Sequence, residues 1–361
     1  MRRHSEYAGL APEDRGAAAA IGNFDGLHLG HQSVLALARA RHSEYAGLAP
    51  EDRGAAAAIG NFDGLHLGHQ SVLALARAAA ARLGVSFGAI TFEPHPRAFF
   101  APDAPPFRIM NAEARAHRME KLGVEQLYEL RFDAALAGLE AEEFITRVLR
   151  DGLGLRHLVA GADFRFGRRR RGDVEMLRAL GPAAGFGVTI APLVCDEQGD
   201  FSSSAIREAL AEGRPDDAAR ILGHWHRIEG AVVHGDKRGR DFGFPTANIW
   251  LEPLNLPRFG VYAATVDVLT GPYRGRYPAA VSLGVRPMFD GKRPNLEAFL
   301  LDFSGDLYGA ELSVGLVAYL RPELKFDSLD ALVAQMRADV EDARAHLAAA
   351  GQPLTPVPIP R

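Results

Sequence analysis

From residue 54 onward, short apolar runs alternate with longer stretches of helix-forming residues. AAAAIG (55–60), VSFGAITF (85–92), VEQLYELRF (124–132), LRHLVAG (155–161) and VTIAPLVC (188–195) read as strands. HQSVLALARAAAARLG (69–84), NAEARAHRMEKLG (111–123), AEEFITRVLRDGLG (141–154) and DVEMLRALGPAAG (173–185) read as the intervening helices, each closing near a Gly. EPHPRAFF breaks the second strand, and two further helices follow at 202–213 and 215–223. Strands separated by helices of this length predict a parallel, doubly wound α/β sheet, with its ligand edge at the carboxyl ends of the strands. After Gly223 the texture changes. HRIEGAVVHG, TANIWL, GVYAATVDVL, YPAAVSLGV, LEAFLLDF and LSVGLVAYL are strand-like segments punctuated by Gly and Pro. One helix, 328–348, closes the series, with Ser328 as its cap and an apolar face of Leu329, Leu332, Val333, Met336 and Val340. Many short strands and one covering helix predict a small β-barrel.

The chain also repeats itself. Residues 3–40 recur letter for letter at 41–78. Identity without substitution is the mark of a recent tandem duplication or of an error in assembling the sequence, not of a diverged structural repeat. Both copies compete for one place in the sheet. The second runs directly into AAARLGVSFGAITF and so reaches the next strand by a short connection, which assigns the working place to it. The first copy is then a spare strand and helix at the terminus, a source of poor solubility or strand exchange between chains, and hence of a homo-oligomer. The expected division is a spare segment at 1–40, an α/β domain at 41–223, a barrel domain at 224–348 and a Pro-rich tail at 349–361.

Composition narrows the function classes. The chain has 361 residues, a formal charge of −4 and 47% hydrophobic residues, an ordinary globular mix spread over two domains. The near-neutral balance supplies no global field for nucleic acid or an anionic membrane. Its one cysteine, Cys195, excludes a disulfide framework and a multi-thiolate metal site. No apolar run reaches the ~20 residues of a membrane span, and the amino terminus does not read as a signal peptide, so the expected compartment is the cytoplasm.

Candidate chemistry clusters at two places. In AIGNFDGLHLGHQSVL (58–73), Gly60, Gly64 and Gly68 let the backbone approach a ligand, and the helix that follows offers unpaired N–H groups to a phosphate. His66 and His69, three apart at that junction, can both donate to phosphoryl oxygens as charge builds on phosphorus. A pair of surface histidines is the alternative; zinc lacks a third ligand nearby. Ser202, Ser203, Ser204 and Arg207 open a later helix and form a second anion site. In the barrel, HGDKRGRDFGFPTANI (234–249) carries Gly235, Lys237, Arg238 and Arg240, a basic loop able to close over ATP phosphates, and leads to Thr246 and Asn248, whose oxygens suit Mg²⁺. Glu297 shares a predicted strand face with Phe299, Leu301 and Phe303. Burial there would raise its pKa and suit it to act as general base toward a hydroxyl attacking the γ-phosphate, the alternative being a rim Glu paired with an Arg.

The first pair of motifs resembles the HxGH nucleotidyltransferases. GNFDGLHLGHQ, TFEPHP (91–96), GADFRFG (161–167) and SSSAIRE (202–208) together resemble the FMN adenylyltransferase half of the bifunctional riboflavin kinase/FAD synthetases. The resemblance implies a Rossmann-like nucleotidyltransferase domain in which His66 and His69, with Gly60, Asn61, Phe62, Asp63 and Gly64 of the same turn and Ser203, Ser204 and Arg207, bind ATP. It makes His66, His69 and Arg207 catalytic, and puts Asp163 and Phe164 in the flavin pocket. The matching residues of the first copy are His28 and His31. Arg168–Arg171 read as a solvated basic loop. The ordered set GAVVHGDKRGR, FGFPTAN, GVYAATV, GVRPMFDG, LEAFLLDF and LYGAELSV is similar to riboflavin kinase over 224–346. This implies Thr246 and Asn248 as Mg·ATP ligands and Glu297 as base toward the ribityl 5′-hydroxyl. Ser282 and Met288 depart from the family's usual Asn and Thr. The implied activity is phosphorylation of riboflavin to FMN and adenylyl transfer from a second ATP to give FAD and pyrophosphate. Two rivals are a kinase whose adenylyl site the duplication disables, and a flavin- or nucleotide-binding regulator without turnover.

Overall fold

The computed structural model describes residues 41–196, 199–234, 243–251, 254–288 and 291–350. The first copy of the repeat, the Gly235–Arg240 loop and the Pro-rich tail lie outside them. So do His28 and His31, and with them the expectation of strand exchange.

Six parallel strands form the first sheet: β1 (Arg41–His42), β2 (Ala56–Ile59), β3 (Phe87–Glu93), β4 (Gln126–Arg131), β5 (His157–Gly161) and β6 (Gly187–Ala191), in the order β1-β4-β3-β2-β5-β6. The chain winds from β2 toward β3 and β4 on one side and toward β5 and β6 on the other. The crevice where the winding reverses therefore opens at the carboxyl ends of β2 and β5. Both β1 and β2 come from the second copy of the repeat, as does most of α1 (Leu67–Leu83). Leu67, Val72, Leu73, Ala76, Ala79 and Ala80 of α1 are buried against one face of the sheet, and Gly84 ends the helix in the left-handed conformation. The other face is covered by the segment Ala141–Gly152 and by helix 174–183.

Three local features depart from the sequence pattern. EPHPRAFF does more than break a strand: Pro96–Phe100 form a short helix, α2, capped by His95, whose Nδ1 accepts from Arg97 N at 3.0 Å. β1 is only two residues long and has no periodic signature. The predicted helix from 141 starts with α geometry and widens to π geometry over Phe144–Gly152, so that Phe144, Ile145, Val148 and Leu149 all reach the core. Helix α3 (Ala112–Lys121) is capped by Asn111. The wall of the domain is completed by α4 (Val174–Ala183), α5 (Ser203–Glu212, capped by Ser202) and α6 (Pro215–Leu222).

A two-residue hairpin, β7 (Cys195–Asp196) with β8 (Gly199–Asp200), precedes α5. The second domain is a six-stranded antiparallel sheet of β9 (His226–Ala231), β10 (Ala247–Trp250), β11 (Gly260–Val268), β12 (Gly275–Met288), β13 (Gly291–Leu300) and β14 (Glu311–Arg321), in the order β10-β13-β12-β11-β14-β9. A bridge between Val233 and Asn248 brings its two edges together, so the sheet nearly closes into a barrel. Alternate residues such as Leu296, Ala298 and Leu300, with Val281, Leu283, Val314 and Leu316, fill its interior.

Helix α7 (Leu329–Ala349) lies across β11, β12 and β14. Its expected apolar face needs correction. Leu329 is 49% exposed, Leu332, Val333, Met336 and Val340 are half-buried, and the fully buried positions are Asp339 and Ala343. Asp339 is inside because Arg321 of β14 grips both its oxygens, at 2.7 and 2.6 Å. The helix is thus docked by an enclosed ion pair as much as by apolar contact.

The domains touch through α6, which packs on β9 and β14, and through backbone bonds from Arg258 N to Leu210 O (2.8 Å) and from Asn255 N to Arg108 O (2.7 Å). His117 of α3 meets Glu229 of β9 at 3.1 Å, and that carboxylate raises the imidazole pKa.

Candidate active sites

The first site is the turn between β2 and α1. Phe62 and Leu65, neither of them Gly, adopt φ of 53° and 48°. Two bulky residues in the left-handed region mark a strained turn held by its surroundings. The Phe62 ring is buried edge-on to His69, and Gly64 (φ 87°) lies so close to Ile109 that an added Cβ would come within 3.1 Å of Cδ1. Gly60 donates its N–H to Ile90 O, and Asn61 is exposed while its carbonyl accepts from Thr91 Oγ1 at 3.2 Å.

His66 caps α1, its Nδ1 accepting from His69 N at 3.3 Å, and the two rings stack with centroids 3.6 Å apart. Gly68 makes this possible, since a Cβ there would lie 3.0 Å from His66 Nδ1. Burial, with the Arg207 guanidinium nearby, pushes His66 down to about 4. Burial and His66 push His69 well below the ordinary imidazole value. Both rings are neutral at pH 7, and His69 Nδ1 is a buried polar atom without a partner.

Arg207 of α5 joins the same site. Its Nη2 lies 2.7 Å from Asp63 Oδ2 and its Nε donates to Phe107 O at 2.6 Å. Asp63, only 4% exposed, spends its other oxygen on Ile109 N (2.8 Å) and Met110 N (3.4 Å). The carboxylate expected to meet ATP therefore faces protein groups and orients Arg207. Ser203 Oγ donates to the Asp63 carbonyl at 2.9 Å, Ser202 caps the helix, and Ser204 is exposed. Gln70 Nε2 donates to Leu65 O and Leu222 O, both at 2.9 Å, pinning the start of α1 to the end of α6.

On the far side of the crevice, Asp163 is exposed and Phe164 is half-buried, stacked on Phe166 at 5.8 Å. Of the basic run, Arg168 pairs with Glu140 at 3.2 Å, while Arg169–Arg171 are exposed.

Several neighbours of this site were given no role by the sequence. Phe92, Phe99, Phe100 and Phe132 form an edge-to-face cluster at the carboxyl ends of β3 and β4, with Phe100 69% exposed. His95 is buried against Phe107 and held down at about 4 by burial and by the guanidiniums of Arg108, Arg115, Arg207 and Arg97. The completely buried Arg115 donates to Glu93 (2.9 Å), Glu129 (2.6 Å) and Asn61 O (3.5 Å) beneath the turn. Phe92, Glu93 and His95 lie in the TFEPHP motif, whose two prolines flank His95; the other contacts join residues far apart in the chain.

The second site lies on the barrel. In the β10–β13 pairing Asn248 stands opposite Glu297, and in β12–β13 Ser282 does. The three therefore line up across three strands. Thr246 Oγ1 donates to Glu297 Oε2 at 3.5 Å and Asn295 Nδ2 to Oε1 at 3.3 Å. Glu297 is half-buried among polar groups. Of the expected apolar face, Phe299 does share the side of Glu297, its ring tilted against that of Phe244 with centroids 5.1 Å apart, but β13 ends at Leu300, so Leu301 and Phe303 lie beyond it. Asn248 uses its Nδ2 on the Thr246 carbonyl at 3.2 Å and leaves Oδ1 buried without a hydrogen-bond donor. Met288 ends β12, while Gly235, Lys237, Arg238 and Arg240 lie outside the described residues.

Comparison with known proteins covers both sites. The chain matches the FAD synthetase family over residues 10–47 and 48–205 and the riboflavin kinase family over 222–347. It is 43% identical to the bifunctional riboflavin kinase/FMN adenylyltransferase of Pseudomonas fluorescens, covering 93% of this chain and 94% of that one. It is 39% identical to the Escherichia coli (strain K12) protein of the same name, covering 92% and 93%. A solved structure titled a macrolide-efflux protein from Streptococcus pneumoniae shares the fold, with 33% identity, a TM-score of 0.74 and coverage of 84% of this chain and 98% of that one. Among the described residues no helix is long and apolar enough to cross a membrane. With both domains matched in order and over nearly their whole length, the chain belongs to the bifunctional riboflavin kinase/FMN adenylyltransferase family.

Proposed function

We propose that the barrel phosphorylates riboflavin with ATP and that the α/β domain transfers AMP from a second ATP to the resulting FMN, releasing pyrophosphate and FAD. The observation that carries this reading is that Thr246, Asn248 and Glu297 meet on one patch of the barrel while the stacked His66–His69 pair sits in the crevice of the other domain. One chain thus holds two separate places to handle a polyphosphate.

In the barrel, Glu297 accepts the proton of the ribityl 5′-hydroxyl as that oxygen attacks the γ-phosphorus, and ADP leaves. Asn248 Oδ1 and Thr246 Oγ1 are hard oxygens, and the unsatisfied Oδ1 fits a cation. These two residues would hold Mg²⁺, which when bound neutralises phosphate charge. Lys237 and Arg240, with Gly235, are assigned to the phosphate-covering loop on sequence alone.

In the α/β domain, the amino terminus of α1 receives the triphosphate. Neutral His66 and His69 donate to phosphoryl oxygens as the FMN phosphate attacks the α-phosphorus, and Arg207, oriented by Asp63, offsets charge on the departing pyrophosphate. Asn61, Gly60 and Gly64 shape the cradle, and Phe62 and Ser203 hold it; Ser204 is placed at its rim. Asp163 and Phe164, with the exposed Phe100 across the crevice, would seat the flavin ring between aromatic faces. The proposed compartment is the cytoplasm, with riboflavin, FMN and ATP as small-molecule partners and no role for nucleic acid or membrane. Incubation with riboflavin, ATP and Mg²⁺ followed by chromatography tests the reading: FMN should appear first and FAD after it, and a protein that makes neither defeats it.

A further inference from the structure

The segment Phe107–Met110 carries no motif, yet it touches both Asp63 and Arg207 of the adenylyl site. The carbonyl of Phe107 accepts from Arg207, and the N–H groups of Ile109 and Met110 donate to Asp63. Between them, Arg108 Nη1 holds both oxygens of Glu93 at 2.7 and 2.9 Å, and Glu93 is also bound by Arg115 under the turn. The carbonyl of Arg108 points the other way and accepts from Asn255 N at 2.7 Å. Asn255 lies in the loop that leads from β10, the strand of Asn248, to β11.

The carbonyl of Arg108 and the N–H of Ile109 belong to one planar peptide unit. One end of that plane holds the barrel's loop, and the other holds the carboxylate that orients Arg207. The plane cannot turn without straining both bonds. The Arg108 side chain, 15% exposed and clamped to Glu93, fixes the plane's angle. We propose that Arg108 is a positioning residue shared by both reactions, acting through the Arg108–Ile109 peptide on Asp63 and Arg207 in one domain and on the β10 loop in the other. This rests on the two sites assigned above.

The test is to measure both half-reactions separately, FMN from riboflavin and FAD from supplied FMN, in full-length R108A, R108K and E93Q. The emission of Trp250, on β10, and of Trp225 reports the barrel side. R108A should lower kcat/KM for both products, on the order of threefold to tenfold each, and shift the tryptophan emission. R108K, which keeps a cation against Glu93, should restore both rates and the emission. If R108A lowers FAD formation but leaves riboflavin phosphorylation and the emission unchanged, Arg108 serves one domain only and the proposal is overturned; unchanged rates for both overturn it too. Should R108A not fold, E93Q releases the same clamp and is read by the same outcomes. A wild-type protein that makes neither product would instead defeat the site assignment, so the two failures are distinguishable.

Discussion

Replacing His28 or His66 by alanine separates the two copies of the repeat. In the structure the second copy fills the sheet, and its helix continues past the repeat: α1 runs to Leu83 with Ala79 and Ala80 buried, and Gly84 and Val85 bond back to Ala80 O. If residues 3–40 took this place, the helix would lose that last turn. The connection to β3 would lengthen from the three residues 84–86 to include all of 41–78. Four doublings of loop length cost roughly 2.4 kcal/mol, and two unburied alanine methyls roughly 1.6 kcal/mol more. A difference near 4 kcal/mol leaves the exchanged arrangement at roughly one molecule in a thousand. Losing one donor to a developing phosphoryl charge costs on the order of a hundredfold to a thousandfold in rate. FAD formation from FMN and ATP, followed by chromatography, should therefore be unchanged in His28→Ala, fall by about that factor in His66→Ala, and fall no further in the double variant. A loss of FAD formation in His28→Ala, or near-normal turnover in His66→Ala that the double variant abolishes, would refute the assignment of the working place to the second copy.

Other outcomes follow from single contacts. Glu297→Gln should lower FMN formation by about a hundredfold or more while FAD formation from supplied FMN continues; parallel loss of both rates would contradict the division of labour. Asp339→Ala leaves Arg321 enclosed without its partner and should cost about 3 kcal/mol, read as a lower urea midpoint; an unchanged midpoint would show that α7 docks by apolar contact alone. His66, His95 and His226 are held at about 4 and His224 at about 3, below the ordinary 6.5. The unfolded chain therefore binds more protons than the folded one between those values. Stability should be full above pH 6.5 and fall as the pH drops toward 4, with the opposite, smaller contribution of His117 lost as the pH rises through its raised value. A thermal midpoint that stays flat down to about pH 4.5 would contradict the neutral burial of these rings.

The architecture was legible because it rests on local periodicity. Alternating apolar runs and helix formers gave the parallel sheet, and Gly punctuation gave the barrel. What escaped the sequence depends on contacts between distant residues. Nothing local distinguishes Phe107–Met110, whose partners are Asp63, Arg207 and Asn255. Asp339 looks like one of several surface acids on its helix until Arg321 is placed beside it. The face of Glu297 was right as far as Phe299 and wrong for Leu301 and Phe303, because the period of two was carried past Leu300, where the strand ends. Conversely, His66 with His69, and Thr246 with Asn248, could be singled out as pairs because a helix start and an extended segment put nearby residues on one side, a short-range geometry that spacing does encode.

Parallel incubations with ATP labelled at the α- or the γ-phosphate test the central claim most directly. With riboflavin as acceptor, γ-label should enter FMN in wild type and in His66→Ala but not in Glu297→Gln. With FMN as acceptor, α-label should enter FAD in wild type and in Glu297→Gln but not in His66→Ala. If either substitution removes both labels from the flavins, or if neither label reaches a flavin in wild type, two independent phosphate-handling sites on one chain is the wrong account.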